Sequence, residues 1–174
     1  MIRLFSRHPV PDAARIVFHR PDFYGRRAKE FTHEAMRGES DWSIADRELM
    51  AAYVSTVNRS PFCIAAHTAT AMRADGDRAR VRGVLADLET APVDDGLRAT
   101  LRMLGTLTRT GTVTADDMRA VLAAGVSHRK IEDALAVCTA FDVTNRLADA
   151  FDFELLAPED FAAGAKYLLK RGYK

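Results

Sequence analysis

The sequence is poor in several features that mark particular classes of protein. Only two of its 174 residues are cysteines, Cys63 and Cys138, too few for the disulfide framework of a small secreted domain, so we expect a reducing compartment. No segment approaches the roughly 18 consecutive apolar residues of a membrane span, and the first residues lack the apolar run of a signal peptide. The 25 basic and 24 acidic residues are interspersed, which argues against a nucleic-acid-binding surface. We therefore expect a soluble, cytoplasmic protein without nucleic-acid or membrane partners.

Alternating apolar residues, which are typical of strands, are also lacking. Apolar residues recur instead at helical spacing, and 48% of the chain is hydrophobic, enough to bury one sizeable core. We predict an all-α fold and a single domain over residues 1–174.

Capping residues, prolines and glycines divide the chain into nine predicted helices. Ser43 is predicted to cap one of them with Asp46 as the acid of a capping box, and Thr114 and Ser127 to cap two others. The predicted helices cover about 11–20, 22–36, 44–57, a segment from Ser60, 75–88, 94–107, 114–125, 128–151 and 158–172, with a polar connection at 108–112. The helix at 128–151 is predicted to lie in the core because of its apolar residues Ile131, Leu135, Val137, Cys138, Phe141, Val143 and Leu147.

The stretch ELMAAYVSTVNRSPFCIAAH, residues 48–67, combines an acid, a thiol and an imidazole. With Ser60 as N-cap and Pro61 at the first helical position, Cys63 falls in the first turn of a helix, where the positive end of the dipole favours a thiolate. His67 lies one turn further on the same face. Glu48 belongs to the preceding helix, which must return against this one because only about two residues join them. These three side chains are therefore predicted to converge, with Glu48 orienting the imidazole.

Structural explanations of the same residues remain open. A cysteine on an apolar helix is usually a small hydrophobic residue, and a buried histidine usually bonds to a carbonyl. Cys63, His67 and Glu48 are too few for a typical zinc site, so no metal and no cofactor are expected. Cys138 is interpreted as a core residue.

These residues carry a resemblance. Glu48, Ser60, Cys63 and His67 follow the spacing of the signature E-x11-C-x-x-C-x3-H, and the chain resembles the AhpD-like alkylhydroperoxidase and carboxymuconolactone decarboxylase superfamily in its peroxidase-related branch. The segment FDVTNRLADAFDFEL is similar to the C-terminal helix of such members. The resemblance implies an AhpD-like helical bundle around an antiparallel helix pair, assembled as trimers or hexamers. It also implies that Cys63 attacks peroxide, with His67 and Glu48 as its proton relay.

The chain departs from that signature at one cysteine. Ser60 stands where the family has the resolving cysteine, and a serine cannot form a disulfide. Turnover would then oxidise Cys63 to a sulfenic acid, which an external thiol or Cys138 would reduce. Serine is also a good helix cap, so Ser60 is expected to strengthen the dipole at Cys63.

The sequence leaves three functions open. The first is a thiol peroxidase of alkylhydroperoxidase type, acting as an antioxidant oxidoreductase on a small hydroperoxide, with Phe62 and Tyr53 favouring an organic one. The second is a lyase or isomerase in which Glu48 and His67 supply acid/base chemistry. The third is a non-catalytic helical oligomer.

Overall fold

The structure, a computed structural model, describes residues 12, 13, 22 and 25–173. The predicted helix at 11–20 lies almost entirely outside the described residues. All regular secondary structure in the described part is helical, which confirms the all-α prediction. The helices are α1 (Arg26–Arg37), α2 (Ile44–Asn58), α3 (Pro61–Asp75), α4 (Arg78–Ala86), α5 (Asp95–Thr110), α6 (Ala115–Ala123), α7 (His128–Ala150) and α8 (Pro158–Arg171).

The helix boundaries follow the local capping signals. Ser43 accepts a hydrogen bond from the Asp46 N–H at 3.0 Å, and the Asp46 carboxylate accepts one from the Ser43 N–H in return, so the predicted capping box is present. Thr114 forms a second capping box, with Asp117. Ser127 caps α7 by accepting a hydrogen bond from the Lys130 N–H.

Two predicted boundaries were wrong. The helix predicted at 75–88 starts later, because α3 continues to Asp75, Gly76 turns the chain in a left-handed conformation (φ 77°), and Asp77 caps α4. The polar connection predicted at 108–112 is shorter, since α5 runs to Thr110 and ends at the left-handed Gly111.

The centre of the fold is the antiparallel pair α2 and α3. Arg59 ends α2 in a left-handed conformation (φ 59°), and its N–H bonds back to the Ser55 and Thr56 carbonyls. The chain then reverses at once into Pro61 at the start of α3. Because α2 is buried along most of its length, a polar side chain that points inward from it lies in the protein interior.

The long helix α7 lies in the core, as predicted, where it packs against α2, but not every residue predicted to be buried is buried. Ile131, Val137, Cys138 and Phe141 are buried in the main apolar cluster. Leu135 and Leu147 are only partly buried, and Val143 is 43% exposed. A helix advances about 100° per residue, so Val143 cannot share one face with Phe141.

A second, smaller apolar cluster lies at the start of α3. It consists of Phe62, Cys63, Ala148 and Phe161. Phe161 comes from α8, which packs against α3. None of the described helices is long and apolar enough to cross a lipid bilayer. The single domain remains a prediction.

Candidate active site

The structure brings Glu48 and His67 into direct contact across the α2–α3 pair. Glu48 is fully buried, and its Oε2 lies 2.8 Å from His67 Nδ1. A carboxylate accepts hydrogen bonds, so the contact places the proton on Nδ1 and leaves Nε2 to act as base in the neutral ring.

Two further residues hold the other carboxylate oxygen of Glu48. Arg37 Nη2, at the end of α1, donates to Oε1 at 2.6 Å, and the Tyr173 hydroxyl, after α8, donates to the same oxygen at 3.0 Å. The Arg37 guanidinium also lies 5.1 Å from the centre of the Tyr173 ring, within the range of a cation–π contact. Sequence reasoning missed both residues.

Electrostatics keep Glu48 ionised despite its burial. Desolvation raises the pKa of Glu48, but the hydrogen bond and charge of His67 and the Arg37 guanidinium together outweigh it, so this pKa lies below its ordinary value. The pKa of the Tyr173 hydroxyl is raised well above its ordinary value by burial and by the charge of Glu48. Tyr173 therefore acts as a hydrogen-bond donor at neutral pH.

The His67 ring is fixed by aromatic neighbours. Phe141 meets it edge-on, with ring centres 4.3 Å apart, and Tyr173 is nearly parallel to it at 6.4 Å. Within the described part of the chain, no hydrogen bond reaches His67 Nε2, and the side chain keeps a small exposure. The ring is thus oriented at one nitrogen and available at the other.

Cys63 lies in the first turn of α3, as predicted, but its predicted thiolate character is wrong. The residue is only 1% exposed, and this burial raises the pKa of the Cys63 thiol to about 12, opposed by a hydrogen bond with Ser60 and assisted by the charge of Asp149. Removing the sulfur from water outweighs the helix dipole here, because the dipole effect is modest and desolvation affects the whole ion. The resting thiol is protonated.

Ser60 occupies the N-cap position of α3, but its side chain does not cap the helix. The fully buried hydroxyl donates instead to Asp149 Oδ1 on α7 at 2.7 Å. Ser60 therefore ties α3 to α7 rather than strengthening the dipole as predicted. The Asp149 charge that it binds also disfavours a thiolate at Cys63.

Cys138 is a core residue, as interpreted from the sequence. It is fully buried in the main apolar cluster, while Cys63 belongs to the smaller one. Its sulfur lies 3.5 Å from the Thr108 hydroxyl, and burial raises the pKa of this thiol to about 12.

The described residues contain no group of three or more His, Cys, Asp or Glu side chains placed to hold a metal ion. A surface groove of about 250 Å³ lies between α1 and α7 near Phe31 and Val143. None of Glu48, Ser60, Cys63 and His67 lines that groove, so it is separate from the candidate site.

Comparison with known proteins gives a family match and several solved structures of similar fold. A model of the Carboxymuconolactone decarboxylase family matches residues 22–105, a range that includes all four predicted site residues. No protein of curated function has a significantly similar sequence.

The solved structures with a similar fold include two that are described as peroxidase-related proteins. An uncharacterised peroxidase-related protein from Silicibacter sp. TM1040 is 26% identical and superposes with a TM-score of 0.78 over 85% of this chain and 78% of its own. An alkylhydroperoxidase AhpD core, an uncharacterised peroxidase-related protein from Ralstonia eutropha JMP134, is 21% identical, with a TM-score of 0.78 over 90% of this chain and 82% of its own. At that identity the second likeness concerns the fold alone.

Proposed function

The chain belongs to the AhpD-like carboxymuconolactone decarboxylase superfamily, and from that premise we propose that it is a peroxidase-related thiol oxidoreductase that reduces organic hydroperoxides through Cys63. One observation carries the proposal. His67 lies one helical turn from Cys63 on the same helix, and the buried, ionised carboxylate of Glu48 holds its imidazole.

The buried carboxylate gives the imidazole the properties of a general base. The Glu48 contact fixes the ring through Nδ1, and it stabilises the imidazolium that forms when Nε2 takes a proton. Cys63 needs such a base because, with its pKa near 12, only about 10⁻⁵ of the thiol ionises unaided at pH 7. The raised pKa thus makes His67 necessary to the mechanism.

In the proposed step, His67 Nε2 takes the proton of Cys63 and the sulfur attacks the terminal oxygen of the hydroperoxide. The S–O bond forms as the O–O bond breaks, so sulfur is oxidised and the peroxide is reduced. The proton on His67 passes to the leaving alkoxide. The products are an alcohol and the sulfenic acid of Cys63.

The sulfenic acid needs two equivalents of an external thiol. The first forms a mixed disulfide with Cys63 and releases water, and the second releases the free Cys63 thiol and an external disulfide. Ser60 has no sulfur to contribute, and Cys138 lies in a different apolar cluster. An external thiol is therefore the reductant that we propose.

The surroundings of Cys63 favour an apolar substituent on the peroxide. Phe62 meets Phe153 and Phe161 edge-on, with ring centres 5.3 and 5.6 Å apart. Aromatic walls of this kind bind alkyl or aryl groups rather than strongly hydrated ones. Assembly into trimers or hexamers is also part of the proposal, and analytical ultracentrifugation tests it.

The proposal is tested by following hydroperoxide consumption with a small thiol as reductant. His67→Ala should lower the rate by about a hundredfold to ten-thousandfold, the usual contribution of positioned proton transfer, and Cys63→Ser should abolish it. His128→Ala is the matched control, because this histidine is exposed at the start of α7. A His67→Ala rate equal to that of the control would remove the imidazole from the mechanism.

A second candidate is an acid/base lyase or isomerase, and one observation favours it. The Glu48–His67 pair is complete without sulfur chemistry, while the Cys63 thiol rests protonated. For this function, Cys63→Ser would keep activity on a lactone or related carbon acid, and Glu48→Gln would lose it. The two variants therefore separate the two candidates.

A further inference from the structure

We infer that Tyr173 is a positioning residue of the proposed reaction, because it holds the Glu48 carboxylate that orients the His67 base. The inference rests on the proposed hydroperoxide chemistry and adds a residue to its machinery. Tyr173 follows α8 and lies outside residues 22–105, the range of the family match. The segment after α8 therefore completes a site whose other members all lie within that range.

The Tyr173 hydroxyl is one of two donors to Glu48 Oε1. It donates at 3.0 Å, and Arg37 Nη2 donates to the same oxygen at 2.6 Å. Arg37 Nη2 is shared with the Leu168 carbonyl at 3.3 Å, whereas the single hydroxyl proton of Tyr173 serves Glu48 alone. With Oε1 held in this way, Oε2 stays directed at His67 Nδ1, 2.8 Å away. Nε2 is thereby left to act as the base.

The Tyr173 ring also contacts the imidazole. The two rings are inclined by only 16°, with their centres 6.4 Å apart, which is within the range of aromatic pairs. Phe141 meets the same imidazole edge-on at 4.3 Å. Because Glu48 binds Nδ1 as well, the imidazole has little freedom to turn about its Cβ–Cγ bond. Tyr173 therefore acts on His67 both directly and through Glu48.

Tyr173 is itself fixed by contacts with α1. Its N–H donates to His33 Nδ1 at 3.2 Å, and the Arg37 guanidinium lies 5.1 Å from the centre of its ring. Gly172, just before it, takes up a left-handed φ of 68° and bonds through its N–H to the Leu168 carbonyl. A side chain that is held at its backbone, its ring and its hydroxyl is well suited to position another group.

The hydrogen bond from Tyr173 also changes how strongly Glu48 binds the proton on His67 Nδ1. A donor to an ionised carboxylate stabilises its charge and makes it a weaker acceptor for other donors. Without the Tyr173 hydroxyl, Glu48 should therefore accept more strongly from Nδ1. This coupling gives Tyr173 a measurable signature that a residue with a packing role alone would lack.

Single-turnover oxidation of Cys63 by cumene hydroperoxide measures the contribution of Tyr173 to the rate. The sulfenic acid is trapped and quantified by mass spectrometry over a range of peroxide concentrations. Tyr173→Phe should lower the maximal rate by about tenfold, because the base is less well positioned. The half-saturating peroxide concentration should stay the same, because Tyr173 acts through Glu48 and His67. Tyr167→Phe, at an exposed tyrosine of α8, is the matched control and should keep both values.

Proton NMR of the His67 Nδ1–H group gives the second readout. The chain has five histidines, and His67→Ala identifies the signal of His67 in protein labelled with ¹⁵N-histidine. Tyr173→Phe should move this proton downfield, because Glu48 then accepts from it more strongly. Tyr173→3-fluorotyrosine keeps the ring and makes the hydroxyl a stronger donor, so it should move the same proton upfield. Its near-identical shape also makes it the deciding variant if Tyr173→Phe does not fold.

The outcomes separate this inference from the proposed function. A folded Tyr173→Phe protein that oxidises Cys63 at the rate of Tyr167→Phe overturns the positioning role alone. A His67 Nδ1–H resonance that is the same in wild type and in the fluorotyrosine protein does so too. A wild-type protein that forms no sulfenic acid at Cys63 overturns the proposed function and this inference with it.

Discussion

Replacing Glu48 with glutamine tests the ionic centre of the site most severely. The variant keeps the size of the side chain and removes its charge. Arg37, whose side chain is only 8% exposed, then loses the carboxylate that its guanidinium binds. Breaking a buried ion pair in this way costs about 3–5 kcal/mol, because the remaining charge is left uncompensated. For a chain of this size, each kcal/mol lowers the Tm by about 2–4 °C, so the expected Tm loss is about 6–20 °C.

Urea denaturation followed by circular dichroism measures the corresponding loss in the free energy of unfolding. The pKa of Glu48 lies below its ordinary value in the folded protein, so the ionised carboxylate stabilises the fold fully at any pH above that ordinary value. This stabilisation disappears as the pH falls through the folded-state pKa. The difference between wild type and Glu48→Gln should therefore be largest near neutral pH and should shrink in acid.

Glu89→Gln is the control for this measurement. Glu89 also pairs with an arginine, Arg102, but both side chains are more than half exposed, so its loss should change the free energy of unfolding far less than the loss of Glu48. A Glu48→Gln protein that is no less stable than the Glu89→Gln protein would refute the reasoning.

Three further predictions concern Cys63 and the segment after α8. Alkylation of native Cys63 at pH 8 should be about a thousandfold slower than in urea-unfolded protein, as expected for a pKa of about 12 against 9.0, and a rate that levels off below pH 9 would contradict this. Tyr173→Phe should lower the free energy of unfolding by about 1.5–3 kcal/mol, because the Glu48 carboxylate loses a donor. Tyr167→Phe, at an exposed tyrosine, is its control. Equal stability of the two variants would exclude the hydrogen bond from Tyr173 to Glu48. Gly172→Ala should destabilise the protein by more than about 1 kcal/mol, since φ is +68° there and the added Cβ would lie 2.6 Å from the His33 side chain. Gly164→Ala, within α8, has open space around its added Cβ and should be neutral or stabilising by up to about 1 kcal/mol. Calorimetry that shows the same change for both glycine variants would contradict the strain expected at Gly172 from its positive φ and its contact with His33.

Local sequence signals predicted the helices well because they act over a few residues. The capping box of Ser43 and Asp46 and the cap at Ser127 use groups three residues apart, so the sequence contains them in full. The convergence of Glu48 and His67 was also predictable, since a very short connection forces α2 and α3 to run antiparallel.

What the sequence could not predict depends on residues that are distant along the chain. The Ser60 hydroxyl binds Asp149, 89 positions away, and Glu48 binds Tyr173, 125 positions away. The pKa of Cys63 was predicted in the wrong direction because a helix N-terminus is visible in the sequence and burial is not. A buried carboxylate does require a cation, but nothing in the local pattern identifies Arg37 as that cation.

Site-resolved trapping of sulfenic acid in wild type and His67→Ala most directly tests the claim that His67 activates Cys63 towards peroxide. After one equivalent of cumene hydroperoxide, wild-type protein should carry the trapped adduct at Cys63 and not at Cys138, which is fully buried in the main core, and His67→Ala should form it at least about a hundredfold more slowly. Adduct at Cys63 forming equally fast in both proteins, or no adduct at Cys63 in the wild type, would contradict the claim.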